Sequence, residues 1–195
     1  MHGLVNRAIQ CFVRDTYGND IWLEVACSVA LEGGSFEAML SYDDALTEQV
    51  LERIAALLRK SRPDVLEDVG TYLVSHPNAE ALRRLLRFGG VDFMEFLHSL
   101  DDLPDRARMA VSDLDLPQLE LDDRDPNRVH LHVRSAHDGF GHVMLGMLRT
   151  MADDYGALVF LNLRRLRPGD DVIDIALVES AFTKGRSFTL SAGKV

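Results

Sequence analysis

Apolar side chains recur every three or four positions through the first 115 residues and then, from Leu116, begin to alternate. Within residues 4–16, Val5, Ile9, Phe12 and Val13 fall on one helical stripe, and Tyr17-Gly18-Asn19-Asp20 supplies a stop and a fresh N-cap. Residues 21–30 read as a second short helix, broken off by Gly33-Gly34-Ser35. Leu46, Val50, Ile54 and Leu57 stripe a longer helix over 45–58 behind Asp43-Asp44, and Pro63-Asp64 opens another that runs to about Val74. His76-Pro77-Asn78 sets off a basic amphipathic helix over 79–87, Gly89-Gly90 ends it, and residues 91–100 form the next. Pro104 fits the first turn of a helix reaching Val111 and capped by Asp101 or Asp102, because the N–H that proline lacks has no helical partner there.

Beyond Leu116 a period of two predicts strands at 118–122 and 129–135 around an Asp125-Pro126-Asn127 turn. A helix over 139–155 carries Phe140, Val143, Met144, Met147, Leu148 and Met151 toward the sheet and ends at Gly156. Strands at 157–163 and 172–178 follow, joined across Arg167-Pro168-Gly169-Asp170, and Ser187 to Leu190 can add a short edge strand. The pattern is α+β: one domain over 1–195, with a helical subdomain (1–115) packed on a sheet subdomain (116–195).

Composition narrows the classes of function. A chain that is 47% apolar and 27% charged can fill a core. Thirty-one acidic against 21 basic residues, a net charge of −10, offers no footprint for nucleic acid or an anionic membrane. No apolar run approaches the roughly 20 residues that span a bilayer, and Met1 to Gln10 lacks the basic start and hydrophobic stretch of a secretion signal, so a cytoplasmic location is expected. Cys11 and Cys27 are too few for a disulfide framework or a structural zinc and read as buried thiols. No phosphate loop, nucleophile elbow or metalloprotease motif is present, so an enzyme is not expected.

Met1-His2-Gly3-Leu4-Val5-Asn6-Arg7-Ala8, Asp15-x-Tyr17-Gly18, Tyr42-Asp43-Asp44 and the run from Phe96 to Leu103 resemble the H-NOX family. These are heme-based nitric oxide and oxygen binding domains, also found at the N-terminus of the soluble guanylate cyclase β subunit. The resemblance implies a helical subdomain packed on a four-stranded antiparallel sheet with a long helix. It also implies a heme held by a histidine directly after the Leu-Asp-x-Leu segment, a place taken here by Pro104. Proline's tertiary amide nitrogen has no free lone pair to give to iron. The family's heme-contacting proline lies thirteen residues further on, and Pro117 stands at that distance, so the register holds. The Tyr-x-Ser-x-Arg clamp for the heme propionates corresponds to Val133-Arg134-Ser135-Ala136-His137, of which only Ser135 matches. Val5, Pro104, Pro117, Val133, Ser135 and His137 are thus the positions of a degraded heme pocket, and no cofactor is expected.

The reading that follows is a heme-free sensor or adaptor domain which regulates a partner by contact. For a bacterial stand-alone member the resemblance implies a histidine kinase or a cyclic-di-GMP enzyme as that partner. The rivals are a gas sensor whose iron takes a substitute ligand, His98 or His137, and a binder of another hydrophobic ligand in the vacated cleft. His130-x-His132 reads as a solvated pair on the outer strand face, and Asp101-Asp102 as helix caps. Arg83, Arg84 and Arg87 form a cationic island on an acidic molecule, a candidate docking face. A collapsed cleft is expected, because a void of porphyrin size would cost about 24 cal/mol per Å³.

Overall fold

A computed structural model describes residues 1–125, 128–183 and 185, with 124 and 125 by their backbone only. The turn at Pro126-Asn127 and the strand expected at Ser187 to Leu190 lie outside the described residues. The chain begins with α1 (Gly3–Tyr17), α2 (Asn19–Ser28), α3 (Asp44–Leu58) and α4 (Arg62–Ser75). Three short helices follow, α5 (Glu80–Arg87), α6 (Phe93–His98) and α7 (Leu103–Ala110). The sheet half is β1 (Gln118–Asp125), β2 (Arg128–Arg134), α8 (Phe140–Tyr155), β3 (Leu158–Arg167) and β4 (Asp170–Glu179). All strand pairs are antiparallel, in the order β1-β2-β4-β3, so two hairpins meet along β2 and β4.

Local chemistry explains most boundaries. Asp43 caps α3 by accepting the Ala45 N–H at 2.9 Å, Ser61 caps α4 ahead of Pro63, and Gly156 closes α8 in the left-handed conformation. Asp92 accepts the Glu95 N–H at 2.9 Å, which delays the start of α6 to Phe93. Strand β3 runs four residues past the expected Leu163, because cross-strand ion pairs take over where the apolar alternation ends. Arg164 meets Asp174, Arg165 meets Asp171 and Arg167 meets Asp170.

Two expectations need correction. Asp102 sits at the start of α7 without a side-chain cap bond, and Asp101 does not cap the helix either: its carboxylate accepts the Leu121 N–H of β1 at 2.9 Å. It ties the α6–α7 corner to the sheet. Nor are the thiols fully buried, since Cys11 is half-buried against the first four helices and Cys27 is exposed near the end of α2.

The apolar residues form two cores. One gathers Phe12, Trp22, Val25, Phe36, Ile54 and Val65 from α1 to α4. The other gathers Phe93, Phe96 and Leu97 with the inner sheet face (Leu131, Val133, Ile173, Ile175) and the α8 residues Met144, Met147, Leu148 and Met151. The three methionines therefore fill core, as their spacing predicts. The change from helix to strand at 116 and the division of the cores fall at different places: α5, α6 and α7 pack with the sheet. Helix α4 belongs to both, with Val69 in the first core and Val74 in the second.

Helices α4 and α8 cross at van der Waals distance of their backbones. A methyl group on Gly70 would overlap the Val143 carbonyl, and one on Gly146 would overlap the Glu67 carbonyl. Replacing glycine by alanine inside a helix ordinarily stabilises by about 1 kcal/mol; here overlap with backbone that cannot yield opposes it by about 1–3 kcal/mol or more. Gly146→Ala is therefore expected to lower stability by about 1–2 kcal/mol in urea denaturation, whereas a neutral or stabilising substitution would show that the helices are free to separate.

Candidate cofactor cleft

The N-terminus is sewn to the segment before α3. The Met1 ammonium donates to the Tyr42 carbonyl at 2.7 Å and pairs with Asp44, and the Gly3 N–H donates to the Leu40 carbonyl at 2.7 Å. A side chain at position 3 would strike the Glu37 and Leu40 carbonyls, which accounts for the glycine. His2 is buried; its Nδ1 accepts the Leu4 N–H at 3.1 Å as the cap of α1, and its Nε2 faces Asp113 at 3.5 Å. Val5 follows, half-buried, on the first turn.

Opposite this edge stand the other pocket positions. Pro104 is buried in the first turn of α7, and Pro117 is buried just before β1. Val133 pairs across the sheet with Leu119, is 2% exposed, and shares its core with Leu100 and Leu103. Ser135 accepts the His137 N–H at 3.0 Å. The His137 ring, 19% exposed, places Nδ1 3.4 Å from Asp44 and Nε2 3.8 Å from Asp115. The Met1 ammonium, and after it His137, hold the Asp44 carboxyl below its ordinary range.

These residues do not fit a heme held in the family's way. Iron needs an axial donor, and position 104 has none. Two propionates need cations, and the clamp positions offer a core valine and an imidazole already flanked by two carboxylates, which repel further anions. Among the described residues, one open depression of about 280 Å³ lies between α8 and β3, and another of about 510 Å³ is bounded by Asp115, Arg134, Arg167 and Asp170. Ser135 lines the second, and neither is lined by Val5, Pro104, Pro117, Val133 or His137.

A model of the haem-NO-binding family matches residues 2–161. The chain belongs to this family of sensor domains. Its curated relatives include soluble guanylate cyclase 89Da of Drosophila melanogaster, 24% identical over 158 residues (81% of this chain and 24% of that protein), and gcy-31 of Caenorhabditis elegans, 22% identical over 154 residues (79% and 22%). The chain therefore spans about a quarter of the length of those relatives. The same fold is seen in an Fe(II) unliganded H-NOX protein from K. algicida, with a TM-score of 0.79, 18% identity and coverage of 94% of this chain and 100% of that one. An H-NOX protein from S. oneidensis in the Fe(II)NO ligation state superposes with a TM-score of 0.76 at 17% identity, covering 91% of this chain and 99% of that one.

The motif residues of this H-NOX chain have visible structural work. Asp15 accepts from the Tyr72 hydroxyl at 2.7 Å and the Asn78 amide at 2.8 Å, binding α1 to α4 and the turn beyond it. Burial and the hydrogen bond to Asp15 raise the Tyr72 phenol well above its ordinary range. The Tyr42 hydroxyl accepts the Glu37 N–H at 2.7 Å, its ring edge-on to Phe36. Sequence reasoning missed the carboxylates around the cleft mouth, Asp44, Asp113 and Asp115. The signal available was the Asp-x-Asp run at 113–115 just ahead of Pro117, but spacing alone does not show what it faces.

The remaining candidates are placed elsewhere. His98 is 52% exposed and faces Asp123 of β1 at 3.7 Å. The arginine island is tied down: Arg83 bonds the buried Asp154 at 2.6 Å, Arg84 pairs with Glu80, and Arg87 lies 3.8 Å over the Tyr155 ring. The face expected to be open for docking instead fastens α5 to the end of α8. On the outer sheet face His130 Nδ1 lies 2.8 Å from Asp174, which Arg164 grips with two nitrogens. Among the described residues no three His, Cys, Asp or Glu side chains converge for a metal, and no helix is long and apolar enough to cross a membrane.

The Arg164 hydrogen bonds, opposed by burial and aided by His130, lower the Asp174 carboxyl from 3.8 to about 2. A carboxyl depressed in the folded state stabilises above its unfolded value, and that contribution is lost as pH falls from about 4 through about 2. Arg164 is 51% and Asp174 28% exposed, so screening leaves only a small part of that contribution, the scale of an exposed pair. Urea curves of the parent and Arg164→Met should differ by that amount at pH 6 and converge near pH 2.

Proposed function

We propose that this chain is an H-NOX-type signalling domain that has given up ordinary heme binding and regulates a partner protein by contact. The observation that carries the reading is the buried Pro104 at the axial position, with Pro117 keeping the register. Val133 and His137 support it independently. One has joined the core and the other faces carboxylates, so both sides of the propionate clamp have changed in the same direction. The H-NOX proteins of K. algicida and S. oneidensis share this fold in Fe(II) and Fe(II)NO states, so the proposal rests on these side chains and not on the fold.

A gas sensor with a substitute iron ligand has less support. His98 projects toward β1, and iron binding by His137 would have to displace Asp44 or Asp115 from a ring nitrogen. A histidine kinase or a cyclic-di-GMP enzyme is the partner class that fits the family.

Chain purified from heme-supplemented cells is expected to be colourless. A Soret band of full occupancy that survives gel filtration would overturn the reading. Pro104→His alone should restore weak uptake, and adding Val133→Tyr and His137→Arg should raise occupancy at least tenfold, since each restored charge-assisted contact contributes on the order of 1.5–3 kcal/mol. Equal uptake by the single and triple variants would show that 133 and 137 are not the clamp.

A further inference from the structure

We propose that His137 is a proton-operated bridge between the helical and sheet subdomains. The ring has a carboxylate at each nitrogen: Asp44, the first residue of α3, beside Nδ1, and Asp115, in the segment between α7 and β1, beside Nε2. A neutral imidazole carries one N–H and turns a lone pair toward the second carboxylate; the imidazolium carries two and attracts both. Protonation thus changes the contact from one attraction and one repulsion into two attractions. Because Asp44 opens α3, whose Val50, Leu51 and Ile54 lie in the first core, and His137 follows β2, the proton acts across the subdomain boundary.

The neighbouring groups leave His137 as the one that switches. The Met1 ammonium shares Asp44, compensating that carboxylate when the ring is neutral. Asp138, next in the chain, is taken by the Gly169 N–H at 3.0 Å and by Arg165. Ser135 receives only the His137 backbone N–H. His2 with Asp113 looks similar but cannot behave in the same way, since its Nδ1 accepts the Leu4 N–H and a proton there would abolish the cap of α1.

The bridge deepens the heme-free reading and rests on it, because propionates at position 137 would compete with both carboxylates. It places an input where the two halves meet: with the ring protonated both carboxylates are clasped, and with the proton gone the clasp opens on one side.

Nitrogen-detected NMR of the His137 ring in the full chain, from pH 5 to 8.5, tests this. Asp115→Asn, at an exposed position, should lower the His137 protonation constant about two- to fivefold, the scale of one exposed charge pair, and Asp44→Asn should do the same. In parallel, the folding constant of the parent should exceed that of His137→Gln about two- to fivefold at pH 5.5 and match it at pH 8.5. A protonation constant moved by neither asparagine, or a parent-to-variant ratio that is equal at both pH values, would overturn the bridge. The samples are first checked for a Soret band: its presence overturns the heme-free reading, whereas failure in a colourless sample overturns the bridge alone.

Discussion

Everything in this molecule hangs on how closely α4 and α8 cross. Gly70 and Gly146 bring two backbones into contact, and that contact fixes the distance between a core built from the first four helices and a core built on the sheet. Val143 packs against both cores at the same crossing. Dense interiors transmit such a constraint because they resist deformation.

The chemistry of the cleft follows from a few exchanges. A proline in place of an imidazole removes the axial bond, and a valine in place of a tyrosine adds to the core between Leu119 and Leu103. The exchange at 137 goes furthest. Where a fixed cation would attract propionates, this chain has a titratable ring between Asp44 and Asp115, with Asp113 close by at His2. These contacts, with the Met1 ammonium on Asp44, join α3 and the chain start to the segment after β2.

Much of this was legible in the sequence. The helical stripes of α1 and α3, the strand alternation of β2 and the methionine face of α8 are strong periodic signals, and the structure follows them. The strand end of β3 was not legible, because Arg164, Arg165 and Arg167 break the alternation and are held by pairing with carboxylates on β4 that only the register reveals. Asp101 resembles a cap in sequence, yet its carboxylate serves the Leu121 amide twenty positions away, a contact that no local rule foresees. The same limit explains Arg83, whose partner Asp154 is distant in sequence and buried. At positions 104, 133 and 137 the residue types in register already differ from the family motif, while the carboxylates that face His137 required three-dimensional neighbours.

If these exchanges have removed a cofactor, native mass spectrometry of the unaltered chain, expressed in cells supplied with heme and desalted gently, tests the loss most directly. The expected result is a single species at the mass of the polypeptide alone, about 21.8 kDa. A dominant species heavier by one porphyrin with its iron would contradict it.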